Sequence, residues 1–250
     1  DLVKIVNAYE KAGDYNRQLK WLEQIILLQS SGLWNREMKK FDVLEESTIM
    51  LGRTQDDKLV PEFYKGHYFM EPYYEKAILA AQKSNNCGKA IELTEELFDI
   101  MSHDCQAKNQ GKPFSRVSEL LPWLRTCSLY ALCCCAQKRY TRAGNALLIA
   151  EEDFKKCNES LEEHSYTRSA KMEMQELNDK KFYMFIFLEE QRKLLEKILP
   201  AHHPILYMQR DLQIWFCEDE EQAEIFEEQN EKEKLVAIES GWASWWEPDA

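Results

Sequence analysis

A helical hairpin pattern written three times into this chain constrains its fold more than any other feature. It is clearest from Leu124 to Ala150. There an apolar segment holding Ala131 and Cys133-Cys134-Cys135 stops at the polar Gln137-Lys138-Arg139, Tyr140 follows, and a second apolar segment opens with Ala143. Near the start, Leu2, Ile5, Val6 and Tyr9 fall at i, i+3, i+4 and i+7, the spacing of one helix face. That pattern breaks at Ala12-Gly13-Asp14-Tyr15 and resumes from Gln18 to Leu28, with Leu22, Ile25 and Ile26 on the second face. Gly13 is suited to the left-handed residue that ends a helix. Between these, Glu71 to Ser84 predicts a helix with Tyr74, Ala77, Ile78 and Ala81 on one side, a corner at 85–88, and a partner helix from Ala90 to Met101. A single hairpin cannot bury its own apolar faces, so such units stack and leave a surface for another molecule.

Composition agrees with helix almost throughout, because Gly (8) and Pro (7) are scarce while Leu, Glu, Lys, Gln and Ala dominate. The expected fold class is all-α, antiparallel helical hairpins stacked as an irregular superhelical array. Residues 1–101 read as N-terminal hairpins, 102–118 as a loop insertion with Gly111 and Pro113, and 119–217 as C-terminal hairpins. Residues 218–239 read as an acidic helix and 240–250 as a Trp-rich tail. Glu37 to Leu51 should be a further helix. Asn158 to Lys181 reads either as one exposed helix or as a partly disordered connector. Phe182 to Leu199 is expected to be helical, residues 200–204 to break it, and Ile205 to about Glu239 to resume it.

The three corners resemble the tetratricopeptide repeat, whose two helices meet at a Gly-x-aromatic corner with an Ala early in the second helix. Gly13 and Tyr15 match the corner of the first unit, Ala90 and Ala143 match the second-helix alanine of the others, and Ala131, Tyr140 and Ala150 add matches in the third. The departures are also plain. Tyr15, Cys87 and Tyr140 are 72 and then 53 positions apart, against about 34 for regular repeats. The first interval has room for an extra hairpin and the second needs the 102–116 insertion. Gln18 stands where the packing alanine is expected, and the second corner lacks both glycine and aromatic. The resemblance implies protein or peptide binding and names no ligand. Its carboxylate-clamp asparagines do not recur, since Asn7, Asn85, Asn86 and Asn145 are not at matching positions.

The formal net charge is −12, and Glu218 to Lys234 alone holds nine acids against two lysines. Nucleic acid and anionic membrane are therefore not expected as partners, because both require a concentrated positive surface. No stretch of 18 apolar residues reads as a membrane span. The eight cysteines include a consecutive run inside an apolar segment, which fits reduced thiols acting as small hydrophobes and a cytoplasmic location. Asp1 in place of an initiator methionine points to a piece of a longer chain.

Chemistry has little footing. His103-Asp104-Cys105 and His202-His203 lack zinc-ligand spacing and read as loop and helix break. The glycine-rich phosphate loops and the GxSxG elbow are absent, and no Glu-x-x-His pair occurs. The glutamates read as solvated helix faces with i,i+4 lysine pairs. The expectation is no enzyme, no cofactor and no metal. Two segments are candidates for partner binding. Tyr64, Tyr68, Phe69, Tyr73 and Tyr74 either fill the gap between hairpins or anchor a partner. Trp242, Trp245 and Trp246 share one helical side and either cap the array or dock on a partner. The expected function is a protein-interaction scaffold or adaptor that holds a peptide or helix, of basic character given the acidic helix. The alternative is a helical regulatory or substrate-positioning region of a larger enzyme.

Overall fold

A computed structural model describes residues 2–30, 71–109, 114 and 116–241, with backbone alone for 28–30 and 103–109. The described residues are all-α, in two compact units, Asp1–Gln110 and Gly111–Ala250. The first unit holds α1 (Leu2–Ala12), α2 (Tyr15–Ser30), α3 (Glu71–Lys83) and α4 (Cys87–Asn109). The second holds α5 (Val117–Ala136), α6 (Tyr140–Glu163), α7 (Arg168–Ile198), α8 (Pro204–Ile214) and α9 (Glu220–Glu239). Glu37 to Leu51, and the extra hairpin allowed for the first long interval, lie outside the described residues.

In the first unit α1 pairs with α2, α3 with α4, and α3 packs directly against α2 although residues 31–70 intervene in sequence. Lys76 ties α3 back to α1, donating to Asn7 Oδ1 and pairing with Glu10, each at 3.4 Å. In the second unit α5 pairs with α6 and α7 with α8. The second hairpin stacks helix on helix, α7 against α5 and α8 against α6, and α9 lies on α8. This is the stacking of a tetratricopeptide-like array.

The three corners are alike hydrogen bond for hydrogen bond. Gly13, Asn85 and Lys138 each take positive φ (70°, 57° and 60°). Asp14, Asn86 and Arg139 each donate an amide five residues back, to Tyr9, Ala81 and Cys134. This satisfies a carbonyl that the helix end would otherwise leave without a partner. The second helix then begins at Tyr15, Cys87 or Tyr140, in the register expected from sequence. Three residues on, Gln18, Ala90 and Ala143 are all buried at the hairpin contact. The missing glycine at the second corner is thus supplied by Asn85, the residue type that best tolerates the left-handed region after glycine, and at the third by Lys138.

Three boundaries differ from expectation. Residues 102–109 continue α4 rather than opening a loop, and Phe114 is buried. The 158–181 segment is no connector. The chain turns at His164–Thr167, where Thr167 Oγ1 accepts the Ala170 amide, and α7 runs unbroken through the 182 boundary. Conversely, Ile205 to Glu239 is two helices. Asp219 Oδ1 accepts from Glu221 N and Gln222 N at 3.0 and 3.3 Å and starts α9 afresh.

The cysteine-rich helix α5 is covered nearly all round. Cys133, Cys134 and Cys135 point in three directions at about 100° steps, and all are buried, as is Cys127. Only a helix flanked by neighbours on several sides permits this, and α5 lies against both α6 and α7. Polar ties supplement the packing. Trp123 Nε1 donates to Asp153 Oδ2 on α6 at 2.8 Å, and Glu173 on α7 caps the Val117 amide at 2.7 Å. Gln209 on α8 reaches Ser128 Oγ at 2.8 Å. Among the described side chains, seven cysteines are free thiols. Burial pushes Cys135 up to about 12 and Cys157 up to about 11, so both stay protonated and are poor nucleophiles.

Candidate functional site

The sequence-expected binding residues divide on inspection. Tyr64, Tyr68, Phe69, Trp242, Trp245 and Trp246 lie outside the described residues. Tyr74 is 1% exposed and belongs to the core beneath α3. Burial, with Glu96 beside it, pushes its hydroxyl up. Tyr74 is a packing residue rather than a groove anchor, because it shares one helix face with the buried Ala77, Ile78 and Ala81. Tyr73, one position round, is half-buried, and burial raises its hydroxyl as well.

Among the described residues, an apolar surface stands open on the second unit. Phe182, Tyr183 and Ile186 on α7 are 55%, 70% and 41% exposed. Phe182, Phe185 and Ile186 line a groove of about 310 Å³ with Phe216 from the α8–α9 turn and Phe226 from α9. Phe185 and Phe226 stack across it with centroids 6.1 Å apart and planes at 23°, within the offset-stacking range. Phe216 closes the floor, buried against Phe154 in an edge-on contact at 5.1 Å. The rim is acidic, with Glu189, Glu218 and Asp219. Glu189 is held by Gln213 Nε2 at 2.8 Å and Lys193 at 3.2 Å, and these donors keep its carboxyl below the usual range despite burial.

The groove follows from local rules. The i, i+3, i+4 spacing of Phe182, Phe185 and Ile186 makes one stripe on α7. The helix's buried stripe runs elsewhere, through Leu177, Met184, Leu188, Gln191 and Leu195. A helix with two apolar stripes has more apolar surface than one packing partner covers. Aromatic density at 182–187 was the available sequence signal, but it does not distinguish core from open face. The wall opposite is positioned by α9, which is pinned to α8. Arg210 Nη1 donates to Glu233 Oε1 at 3.1 Å, and Asn230 Nδ2 to the Tyr207 carbonyl at 3.0 Å.

Behind α9 lies a second recess of about 400 Å³, lined by Glu151, Asp211, Ile214, Trp215, Ala223, Glu227, Asn230 and Glu231. No group of three or more His, Cys, Asp or Glu that could hold a metal ion occurs among the described residues. Among those residues no helix is long and apolar enough to cross a membrane.

No protein-family model matches the chain, and no curated protein matches it. Among solved structures it is similar to a putative kinesin light chain from Podosopora anserina described as having nearly identical TPR-like repeats. That similarity is 16% identity over 95% of each chain, with a TM-score of 0.36. The tetratricopeptide-like character stated above stands on the corner geometry and helix pairing of this chain.

Proposed function

We propose that this chain is a protein-interaction scaffold whose aromatic groove between α7 and α9 receives apolar anchors from a basic segment of a partner protein. Its role is binding rather than catalysis. The observation that carries this is the exposed Phe182–Ile186 stripe beside the Phe185–Phe226 stack under an acidic rim. Exposed apolar surface rimmed by polar groups is what protein interfaces present when their partner is away. The acidic first turn of α9, Glu220 and Glu221, adjoins Glu218 and Asp219 and would steer a basic partner over a Debye length of about 8 Å at physiological salt. A reducing, cytoplasmic compartment fits a consecutive cysteine run, Cys133 to Cys135, that is buried as free thiols in α5.

The test is a parallel capture with the intact chain and with Phe182→Ser as baits, each checked for unchanged helicity. Burial of one phenylalanine side chain contributes about 1.5–3 kcal/mol, so a partner seated here should bind about tenfold or more weakly to the variant. Its capture should also fall as salt rises. Retention of the same proteins by both baits, independent of salt, removes the groove from the function.

A further inference from the structure

The α5–α6 corner and the α7–α8 break share one end of the second unit. Glu173 of α7 caps the start of α5, and Gln209 joins Ser128 of α5 to the Leu188 carbonyl of α7 further along, so α5 and α7 run parallel. The helices that follow them leave side by side, with the rings of Tyr140 and His203 4.8 Å apart. This end is basic in an acidic chain, for residues 120–150 and 197–210 contain no Asp or Glu. Lys138, Arg139 and Arg142 stand exposed at the first corner, and Lys197 on the last turn of α7. Glu196, one residue before Lys197, pairs with Arg192 at 2.9 Å, whereas Lys138 and Lys197 make no ion pair among the described residues. Ile198 beside Lys197 is 46% exposed, so the patch carries an apolar side chain among its cations.

The aromatic groove stands at the other end of α8. The basic corner lies where that helix begins, at Pro204, and the groove floor lies just past its end, at Phe216. Eleven residues of helix separate the two by about 16 Å. Glu218, Asp219, Glu220 and Glu221 are exposed at the groove end. What fits there is an apolar side chain set among cations, and the opposite end of the same unit presents one. Both surfaces are fixed to one set of packed helices, so a single molecule cannot satisfy itself, whereas two can. The formal net charge of −12 does not forbid the contact, because exposed charges more than about 8 Å apart are largely screened at physiological salt.

We infer that the basic segment received by the groove is the α5–α6 corner, together with the end of α7, of a second copy of this chain. The inference rests on the groove being a binding surface and names its occupant. Ile198 of one copy enters against Phe182, Phe185 and Phe226 of the next, while Lys138, Arg142 and Lys197 face the rim carboxylates. Two different patches meet, so the contact is heterologous and repeats head to tail. One corner in one groove makes a small interface, and the association is therefore reversible rather than obligate.

The test is sedimentation velocity on the intact chain, from low-micromolar to near-millimolar concentration. The wild type is expected to sediment faster as concentration rises, and less so as salt is added. Phe182→Ser, in the groove, should weaken self-association about tenfold or more. Lys138→Glu combined with Lys197→Glu, at the corner, should weaken it by a similar factor at low salt. Circular dichroism checks that each variant keeps its helicity. Mixing the two variants brings together one intact groove and one intact corner, so the mixture should form a one-to-one complex that grows no further. A wild type that stays monomeric, self-association that either variant leaves unchanged, or a mixture that stays monomeric would each overturn the assignment. The groove reading fails separately. A monomeric wild type whose captured proteins are still lost with Phe182→Ser rules out the second copy alone, while retention of the same proteins by both baits rules out the groove itself.

Discussion

Lowering the pH should loosen the second unit through His203. This histidine is buried at the start of α8, its ring 4.8 Å from that of Tyr140, and its Nδ1 accepts the Ile205 amide at 3.3 Å as the helix N-cap. Burial pushes its pKa down from 6.5 to about 4, because taking the imidazole out of water penalises its charged form. Since the folded value lies below the unfolded one, the unfolded chain takes the proton first. Stability from this group is complete above about pH 6.5 and is lost as pH falls toward 4. At about 1.4 kcal/mol per unit, the loss is roughly 2 kcal/mol at pH 5 and roughly 3 kcal/mol below pH 4. Asp153 and Asp211, whose carboxyls burial pushes up, act in the opposite sense, so the measurement must be differential. Chemical denaturation followed by circular dichroism at pH 7.5 and 5.0 should show a stability loss in the wild type that exceeds that of His203→Asn by about 2 kcal/mol. Asparagine keeps a capping oxygen and does not titrate. Equal pH dependence in the two proteins would refute the reasoning, and so would a loss confined to the region below pH 4.

The corners give a paired prediction. Lys138→Gly should stabilise by about 0.5–1 kcal/mol, because a β-carbon at φ 60° is strained. Gly13→Ala should destabilise by about 1 kcal/mol through the backbone alone, since nothing lies within 4 Å of the added carbon. Denaturation midpoints at constant slope decide both. Thiol labelling of the native protein should modify the exposed Cys87 and the partly exposed Cys217 quickly. Cys127, Cys133, Cys134, Cys135 and Cys157 should resist until the chain unfolds. Mass mapping of labelled peptides reads this directly, and fast native labelling of Cys135 would contradict its burial.

Much of the fold is legible because helix periodicity and helix-ending chemistry are local. Gly13 announces its corner, and Leu22, Ile25 and Ile26 announce the face behind it, with no knowledge of neighbours needed. The corner at Lys138 is less plain. Lysine has no preference for positive φ, and the turn holds because the Cys134 carbonyl receives the Arg139 amide at 2.8 Å while the flanking helices pack. The structure departs from expectation after 101 and around 167 for a common reason. Polar composition suggests a loop, and apolar composition a continuing helix, but caps such as Thr167 and Asp219 are what start helices afresh.

The candidate sites show where local reading stops. Tyr74 and Phe182 are both aromatic residues in helices rich in aromatics, and nothing within either segment says that one faces a core and the other faces solvent. That depends on which stripe the neighbouring helix covers. The acidic recess draws Glu151, Asp211 and Glu227 from three helices, so no spacing along the chain could have gathered them. By itself the sequence determined an all-α chain of paired helices, the register of their corners, and an acidic final helix, since each follows from interactions within a few residues. Which stripe stays open and which carboxylates converge were decided only by tertiary packing, which brings distant residues together and covers one side of a helix at the expense of another.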